Sequence, residues 1–355
     1  MRKNKIYAFH FLKNFKTTHD GVSEYITQLF SLNDNKFIIN HLIIPKKNFS
    51  DNFVNTFTYI DFFKFFFTKK RIDIVHIHGI WFLSIIFIYL FCKIKRIPYV
   101  IQCHGMVTNF DYNIKKKLFN FLFLKKILNE SKFLIATSNF EKMNIKKNYL
   151  KKTIIIPIKI TSNFNYLRNI SFDFKKNNLI FIGRLNPIKN LENLIIAWSQ
   201  AKIKNWNLII IGPDQNNYSS TLEKLIKEYG LYNNIFLKGP IEKKEKIKLF
   251  LNSSILILPS YSENFGISIY EAMSCALPVI ASKYTPWSLV KKYDAGWITD
   301  VDVNSLKKTI YLATNLNKDS LIKKGINAYK LFNRMNNFNL EKKFYYLYGY
   351  NLFEG

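Results

Sequence analysis

The stretch PSYSENFGISIYEAMSCALPVIAS, Pro259–Ser282, decides how this chain is read. An apolar run, ILILP (255–259), leads into it, and a second, LPVIA (277–281), closes it. Between them the pattern predicts a loop holding Glu263, a helix starting near Gly266, and Glu271 further along that helix. Strand, loop, helix and strand in that order form a βαβ unit, and open α/β sheets bind ligands in the loops at the carboxyl ends of their strands. The E-x7-E spacing lets two carboxylates hold two separate polar groups of one ligand, while the amides at the helix start face an anion. An ordinary buried βαβ unit with two solvent-facing glutamates is the competing reading. E-x7-E alone is common on helices; FGI, EAMSCALPVIAS and the flanking strands supply the specificity.

A second segment, LIFIGRLNPIKNL (Leu179–Leu191), reads as a strand, a Gly183-Arg184 pair, a loop stiffened by Pro187, and Lys189 at the start of a helix. Taken with E-N-F-G-I-S-I-Y-E, it resembles the retaining glycosyltransferases of family 4, which have the GT-B fold. Their segments read G-R-L-x-x-x-K-G/N and E-x7-E with F-G-[IL]. Gly183, Arg184, Leu185, Lys189 and Asn190 match the first, and Glu263 to Glu271 fits the second without a gap.

The resemblance implies a nucleotide-sugar donor and a role for each matching residue. Arg184 and Lys189 correspond to the pair that binds the diphosphate, Glu263 to the contact with donor-sugar hydroxyls, and Glu271 to the acceptor of the ribose diol. Gly183, Asn264, Phe265, Gly266 and Ile267 complete the donor side, the amides of the last three forming an anion cradle that Gly266 lets the ligand approach closely. A leaving diphosphate gains charge as the glycosidic bond breaks, so cations placed there favour the transition state over the ground state. Arg offers a planar fork and Lys a point charge for that work.

In the first half, YVIQCHGM (99–106) predicts a strand ending at Cys103, with His104 in the loop before Gly105. The resemblance puts a histidine here beside the reacting sugar, acting through its side chain or through its backbone carbonyl. HGM, HGIW (78–81), TPW (285–287) and AGW (295–297) look most like enzymes that build bacterial surface polysaccharides or lipopolysaccharide. His76 and His78 alternate on a strand and so share a face. They lack a third ligand nearby in sequence, and in the family this strand end, with His78 and His104, lines the acceptor side. Asp300-Val-Asp302 superficially resembles a metal motif, but it follows a strand and precedes a helix, which makes Asp302 an expected N-cap. No metal and no other cofactor is expected. The sequence departs from the family at HDGVSEYI (19–26): where a Gly-Gly loop approaches the donor phosphates, Asp20 precedes a single Gly21. The usual P-N-G at the end of the first domain is replaced by IIPIKI (155–160).

The 355 residues suit two domains, and 48% hydrophobic residues are enough for two cores. Strand patterns recur at Ile6–Phe9, Phe37–Ile44, Ile72–Ile77, Tyr99–Cys103, Phe133–Ala136 and Thr153–Ile156. They return at Leu179–Ile182, Asn207–Ile211, Ile235–Leu237, Ile255–Leu258, Val279–Ala281 and Gly296–Ile298. With helical stretches between most of them, this is the α/β alternation of two Rossmann-like domains. The expectation is a GT-B architecture facing across a cleft. An acceptor domain spans 1–165, a nucleotide-sugar domain 166–333, and a helix from 334 to 355 crosses back to the first domain. The irregular linker is sought in 159–178.

The net charge of +29 raises nucleic acid as a partner, but the excess is lysine, with six arginines in the chain. Abundant Lys, Asn, Ile and Phe together match an AT-rich coding bias, so the charge is weak support for nucleic acid and suits anionic lipid or a nucleotide-sugar better. DFFKFFFTKKR (61–71) and NIKKKLFNFLFLKK (113–126) interleave aromatics with lysines, as a helix at a membrane surface does, or as a helix packing its Phe stripe on a sheet does. Cys92, Cys103 and Cys275 form no CxxC and read as buried thiols of a reducing compartment. The N-terminus reads as a first strand without a cleavage site, and the run Ile80–Cys92 is too short to span a bilayer and reads as a buried helix. The expected setting is the cytoplasm, peripheral to the inner membrane face. The expected acceptor is a saccharide or lipid-linked saccharide. A nucleotide-sugar epimerase or a phosphorylase on the same fold, and a non-catalytic basic module for membrane or nucleic acid, are the competing readings.

Overall fold

The computed structural model describes residues 5–13, 21–31, 38–45, 56–65, 67–68, 71–106, 119–145, 153–160 and 177–349. The chain divides into two units, Met1–Lys159 with Asn339–Gly355, and Ile160–Phe338. The divisions thus fall at 159/160 and 338/339, against the 165/166 and 333/334 read from sequence. Residues 161–176 of the expected linker lie outside the described residues.

The first unit is a parallel sheet of β1 (Ile6–Leu12), β2 (Ile38–Ile44), β3 (Thr56–Thr58), β4 (Ile74–His78), β5 (Tyr99–Gln102), β6 (Phe133–Ala136) and β7 (Thr153–Ile155), ordered β3-β2-β1-β4-β5-β6-β7. Helices cover both faces of such sheets, which is why their strands run apolar without alternation. IYAFHFL of β1 obeys this, and so does IVHIH of β4, which buries two histidines among its five buried positions. Strand β3 carries no periodicity to read: it is three residues at the sheet edge. It leads into the helix Tyr59–Lys64, closed by a capping box between Thr58 and Asp61.

The run expected to be a buried helix forms Ser84–Ile94, and it is buried on one face alone. Ile85, Ile88, Tyr89, Phe91 and Cys92 enter the core, while Leu83 just before the helix and Phe87, Leu90 and Ile94 on it are exposed. A helix beside a sheet has a solvent side, and here apolar residues occupy it. Of the segment 113–126, residues 113–118 lie outside the described residues. All three cysteines are buried free thiols.

The second unit is a parallel sheet of β8 (Asn178–Ile182), β9 (Asn207–Ile211), β10 (Ile235–Lys238), β11 (Ile255–Leu258), β12 (Val279–Ser282) and β13 (Gly296–Thr299), ordered β10-β9-β8-β11-β12-β13. The helix Lys318–Asn336 carries Arg334 and stays in this unit. The segment that joins the first unit begins later, and its helix Leu340–Gly349 lies against β1. Among the described residues, no helix is long and apolar enough to cross a membrane.

Strand order reverses once in each sheet, between β1 and β4 and between β8 and β11. Such switch points open a crevice at the carboxyl ends of the strands. The motif-bearing loops of the second unit leave β8 and β11, and the histidines of the first cluster on β1, β4 and the turn after β5.

Candidate active site

In the second unit, the loop after β8 carries Gly183, Arg184 and Lys189, and the neighbouring loop after β11 carries Glu263, Asn264, Phe265 and Gly266. Two hydrogen-bond sets hold the loops together. Tyr261 N–H donates to Ile188 O at 2.9 Å. Asn190, in a left-handed conformation at φ 60°, sends its amide to Val301 O at 2.7 Å and to Pro259 O at 3.2 Å. The result brings Lys189 Nζ onto Glu263 Oε1, each side chain only 12% exposed. Ser260 Oγ donates to the same carboxylate oxygen at 2.9 Å.

Gly266 is the N-cap of the helix Ile267–Ser274 at φ 74°, where a β-carbon would meet Trp287 Nε1 at 3.0 Å and Leu258 Cδ2 at 3.2 Å. Trp287 Nε1 donates to Phe265 O and pins the turn. No side chain caps this helix, so its first amides keep their partial positive charge. Asn264 Oδ1 is buried without a partner among the described residues, a polar atom left for a ligand or water. Glu271, one turn into the helix, is buried and paired with Lys246 Nζ at 2.7 Å. Lys246 comes from the helix Lys243–Leu251 after β10, and no motif marks it. Arg184 is exposed, with no ion-pair partner among the described residues. Of the donor-side residues read from sequence, Lys189 and Glu263 touch, and Gly183, Arg184, Asn264, Phe265, Gly266, Ile267 and Glu271 lie on the same two segments after β8 and β11. Gly21 opens the helix Gly21–Ser31 in the other unit, and Asp20 lies outside the described residues.

Asp302 caps the helix Val303–Thr314 through Ser305 N–H at 2.9 Å, and Asp300 pairs with Lys283. Both carboxylates of the D-x-D thus have structural partners.

In the first unit His104 follows β5 in a left-handed turn at φ 49°. A buried carboxylate that sequence reading missed holds this turn: Glu141 accepts from Gly105 N–H at 2.7 Å and from Thr137 N–H and Oγ at 2.7 and 2.8 Å. Burial raises its pKa, while those hydrogen bonds oppose the rise. His78 lies 3.1 Å from His104, Nδ1 to Nε2, and His10 of β1 lies 3.0 Å from His78. His10 is the third histidine that H-x-H lacked; its only signal is a polar residue in the apolar run IYAFHFL. Burial depresses all four imidazoles, His10 to about 4, His104 to about 3, and His76 and His78 well below the usual value. They are neutral at physiological pH.

One nitrogen from each of His10, His76 and His78 lies within 4.8 Å of the others, close enough to suggest a metal. Two of these rings, His10 and His78, meet across a hydrogen bond, and His76 and His78 stack at 4.0 Å and 28°. His76 Nδ1 is held by Tyr348 Oη at 2.7 Å.

Two parallel α/β units, each with its candidate residues at the switch point of the sheet, define a GT-B fold. Residues 27–158 match the glycosyltransferase family 4 domain and residues 164–329 the glycosyl transferases group 1 domain, and the chain belongs to these glycosyltransferases. An amylovoran biosynthesis glycosyltransferase of Erwinia amylovora is 25% identical over 226 residues, which are 61% of this chain and 61% of that protein. A glycosyltransferase structure from Rickettsia africae superposes with a TM-score of 0.79 at 19% identity, covering 99% of this chain and 100% of that one. An Anabaena protein, HepE, crystallised with UDP-glucose, gives 0.76 at 16% identity over 98% and 99% of the two chains.

Proposed function

We propose that this protein transfers a sugar from a nucleotide-sugar to a saccharide or lipid-linked saccharide, with retention of configuration and without a bound metal, in the assembly of a surface polysaccharide or lipopolysaccharide. The pairing of Lys189 with Glu263 carries this reading. A nucleotide-sugar joins an anionic diphosphate to a hydroxyl-bearing ring through one anomeric carbon, so it needs a cation and a carboxylate side by side. Arg184 and Lys189 take the diphosphate and stabilise the charge that grows on it as the glycosidic bond breaks. The uncapped amides at Gly266 and Ile267 add to that field. Glu263 accepts from donor-sugar hydroxyls and Glu271 from the ribose diol, a carboxylate offering two acceptor oxygens to two hydroxyls. His104, a neutral ring with His78 behind it, is suited to a hydrogen bond with a sugar hydroxyl. The similarity to a protein crystallised with UDP-glucose favours a uridine nucleotide.

A thermal-shift panel of UDP-, GDP-, ADP- and CDP-sugars tests the reading. One donor at about a hundred times its Kd is expected to stabilise the fold by about 2.7 kcal/mol. That donor should then support transfer, with the anomeric configuration kept, in the presence of EDTA. Stabilisation by none of the four overturns the donor assignment, and activity lost to EDTA but restored by magnesium or zinc overturns metal independence.

The membrane contact of this reading rests on the outward face of Ser84–Ile94. Phe87, Leu90 and Ile94 are exposed there, and Phe63 of the neighbouring helix meets Phe87 edge-on at 6.2 Å. Lys64, Lys93, Lys95 and Arg96 are exposed around them. Apolar rings rimmed by lysines fit an anionic bilayer surface. The protein is expected to sediment with vesicles of equimolar phosphatidylglycerol and phosphatidylcholine, and Phe87→Glu/Leu90→Glu to bind them at least about tenfold less tightly. Equal sedimentation of both proteins, or of neither, removes the membrane from the proposal.

A further inference from the structure

Asn40, His10, His78 and His104 form one hydrogen-bonded line through the first unit. Asn40 Oδ1 lies 2.9 Å from His10 Nε2, His10 Nδ1 lies 3.0 Å from His78 Nε2, and His78 Nδ1 lies 3.1 Å from His104 Nε2. The line crosses the sheet from β2 through β1 and β4 to the turn after β5. Each interior ring uses one nitrogen for the link behind it and the other for the link ahead. A neutral imidazole has one N–H and one lone pair, so a direction set at one end is passed to the other.

Asn40 sets that direction, because an amide oxygen accepts and cannot donate. His10 must therefore carry its proton on Nε2, which leaves a lone pair on Nδ1. His78 must answer that lone pair with Nε2–H, which leaves a lone pair on its own Nδ1. His104 answers with Nε2–H in turn. We propose that this line is a tautomer relay, in which Asn40 fixes His104 as a neutral imidazole presenting the lone pair of Nδ1 to its ligand. Asn40, His10 and His78 are then positioning residues, and His104 accepts a hydrogen bond from a sugar hydroxyl instead of donating one. That last step rests on the function proposed above; the relay itself does not.

The alternative tautomer of any member would set lone pair against lone pair or N–H against N–H in a buried site, since His10 and His78 are 0% and 3% exposed. The relay therefore predicts one tautomer in excess of about tenfold over the other. His76 is outside the line, held by Tyr348 and stacked on His78, and it buttresses the rings without changing the direction.

Two-bond proton–nitrogen correlation spectra of the full chain, labelled with 15N-histidine, read the tautomers directly, because the sequence holds only 6 histidines. His104→Gln assigns the relevant signals. In the wild-type protein at neutral pH, His10, His78 and His104 are expected to be protonated on Nε2 and bare on Nδ1. Asn40→Leu removes the anchoring oxygen and is expected to give His104 a mixture of tautomers. Asn40→Asp keeps an oxygen acceptor in place and should restore the single form. A proton on Nδ1 of His104 in the wild type overturns the relay, and so does an unchanged His104 in a folded Asn40→Leu. Should Asn40→Leu not fold, the wild-type and Asn40→Asp spectra decide alone. With donor saturating, Asn40→Leu is expected to lower kcat about tenfold with KM nearly unchanged. A relay seen in the spectra of a protein with no transfer activity would remove the proposed function and leave the relay standing.

Discussion

Replacing Glu271 by alanine is expected to lower kcat/KM for the donor by at least about a hundredfold. The carboxylate is 11% exposed and lies 2.7 Å from Lys246, itself 16% exposed. Two losses add. On the proposed function the ribose diol loses its acceptor, and Lys246 loses its ion pair with Glu271. Truncating one partner of a buried, hydrogen-bonded charge pair costs about 2 to 5 kcal/mol. Glu271→Gln keeps the shape and one acceptor oxygen and should fall between wild type and alanine. Lys246→Met tests the pairing from the other side: it removes the ion pair and keeps the carboxylate, so it should harm donor binding less than Glu271→Ala. Steady-state kinetics with urea unfolding separates the loss of binding from the loss of stability. Near wild-type turnover of Glu271→Ala with saturating donor would show that this carboxylate does not hold the donor.

The second large effect falls on a residue outside every motif. Gly212 sits at φ 152°, and a β-carbon there would lie 1.8 Å from the carbonyl oxygen of Gly183 and 2.7 Å from its carbonyl carbon. Both contacts are backbone, so no side chain can swing away. The two loops are tied on either side of the approach, Gly183 N–H to Ile211 O at 3.0 Å and Leu185 N–H to Pro213 O at 2.9 Å. Gly212→Ala must break these ties and displace the loop that carries Arg184 and Lys189. A loss of about 3 kcal/mol or more is expected in urea unfolding, together with the loss of the donor's thermal shift. Gly239→Ala, where a β-carbon would meet nothing within 4 Å, is the control and should be nearly neutral. A Gly212→Ala protein with wild-type stability would mean that the loops can part without cost.

The sequence carried the elements well because buried parallel strands are written as continuous apolar runs. β8, β9 and β11 begin and end within a residue of where LIFI, NLIII and ILIL place them. It failed at β3, where three residues hold no period, and at Ser84–Ile94, where an apolar outer face made a half-exposed helix look buried. The donor motifs were legible because G-R-L-x-x-x-K-N and E-x7-E lie within single loop–helix turns, whose geometry the local chain sets. Their partners were not. Lys246 reaches Glu271 from a different helix, and Glu141 reaches the His104 turn from the helix beginning at Asn139.

By itself, the sequence determined two α/β halves and the chemical types gathered at Gly183–Lys189, Glu263–Glu271 and His104. Tertiary structure alone decided which of those groups touch. Strand order places β8 beside β11 and β1 beside β4, and neither adjacency can be read along the chain. The same pairing puts His10 next to His78 and joins one histidine of the H-x-H to a line of four hydrogen-bonded side chains. Local pattern encodes which face of an element is buried, whereas the neighbours across a sheet are fixed by long-range packing that no short window contains.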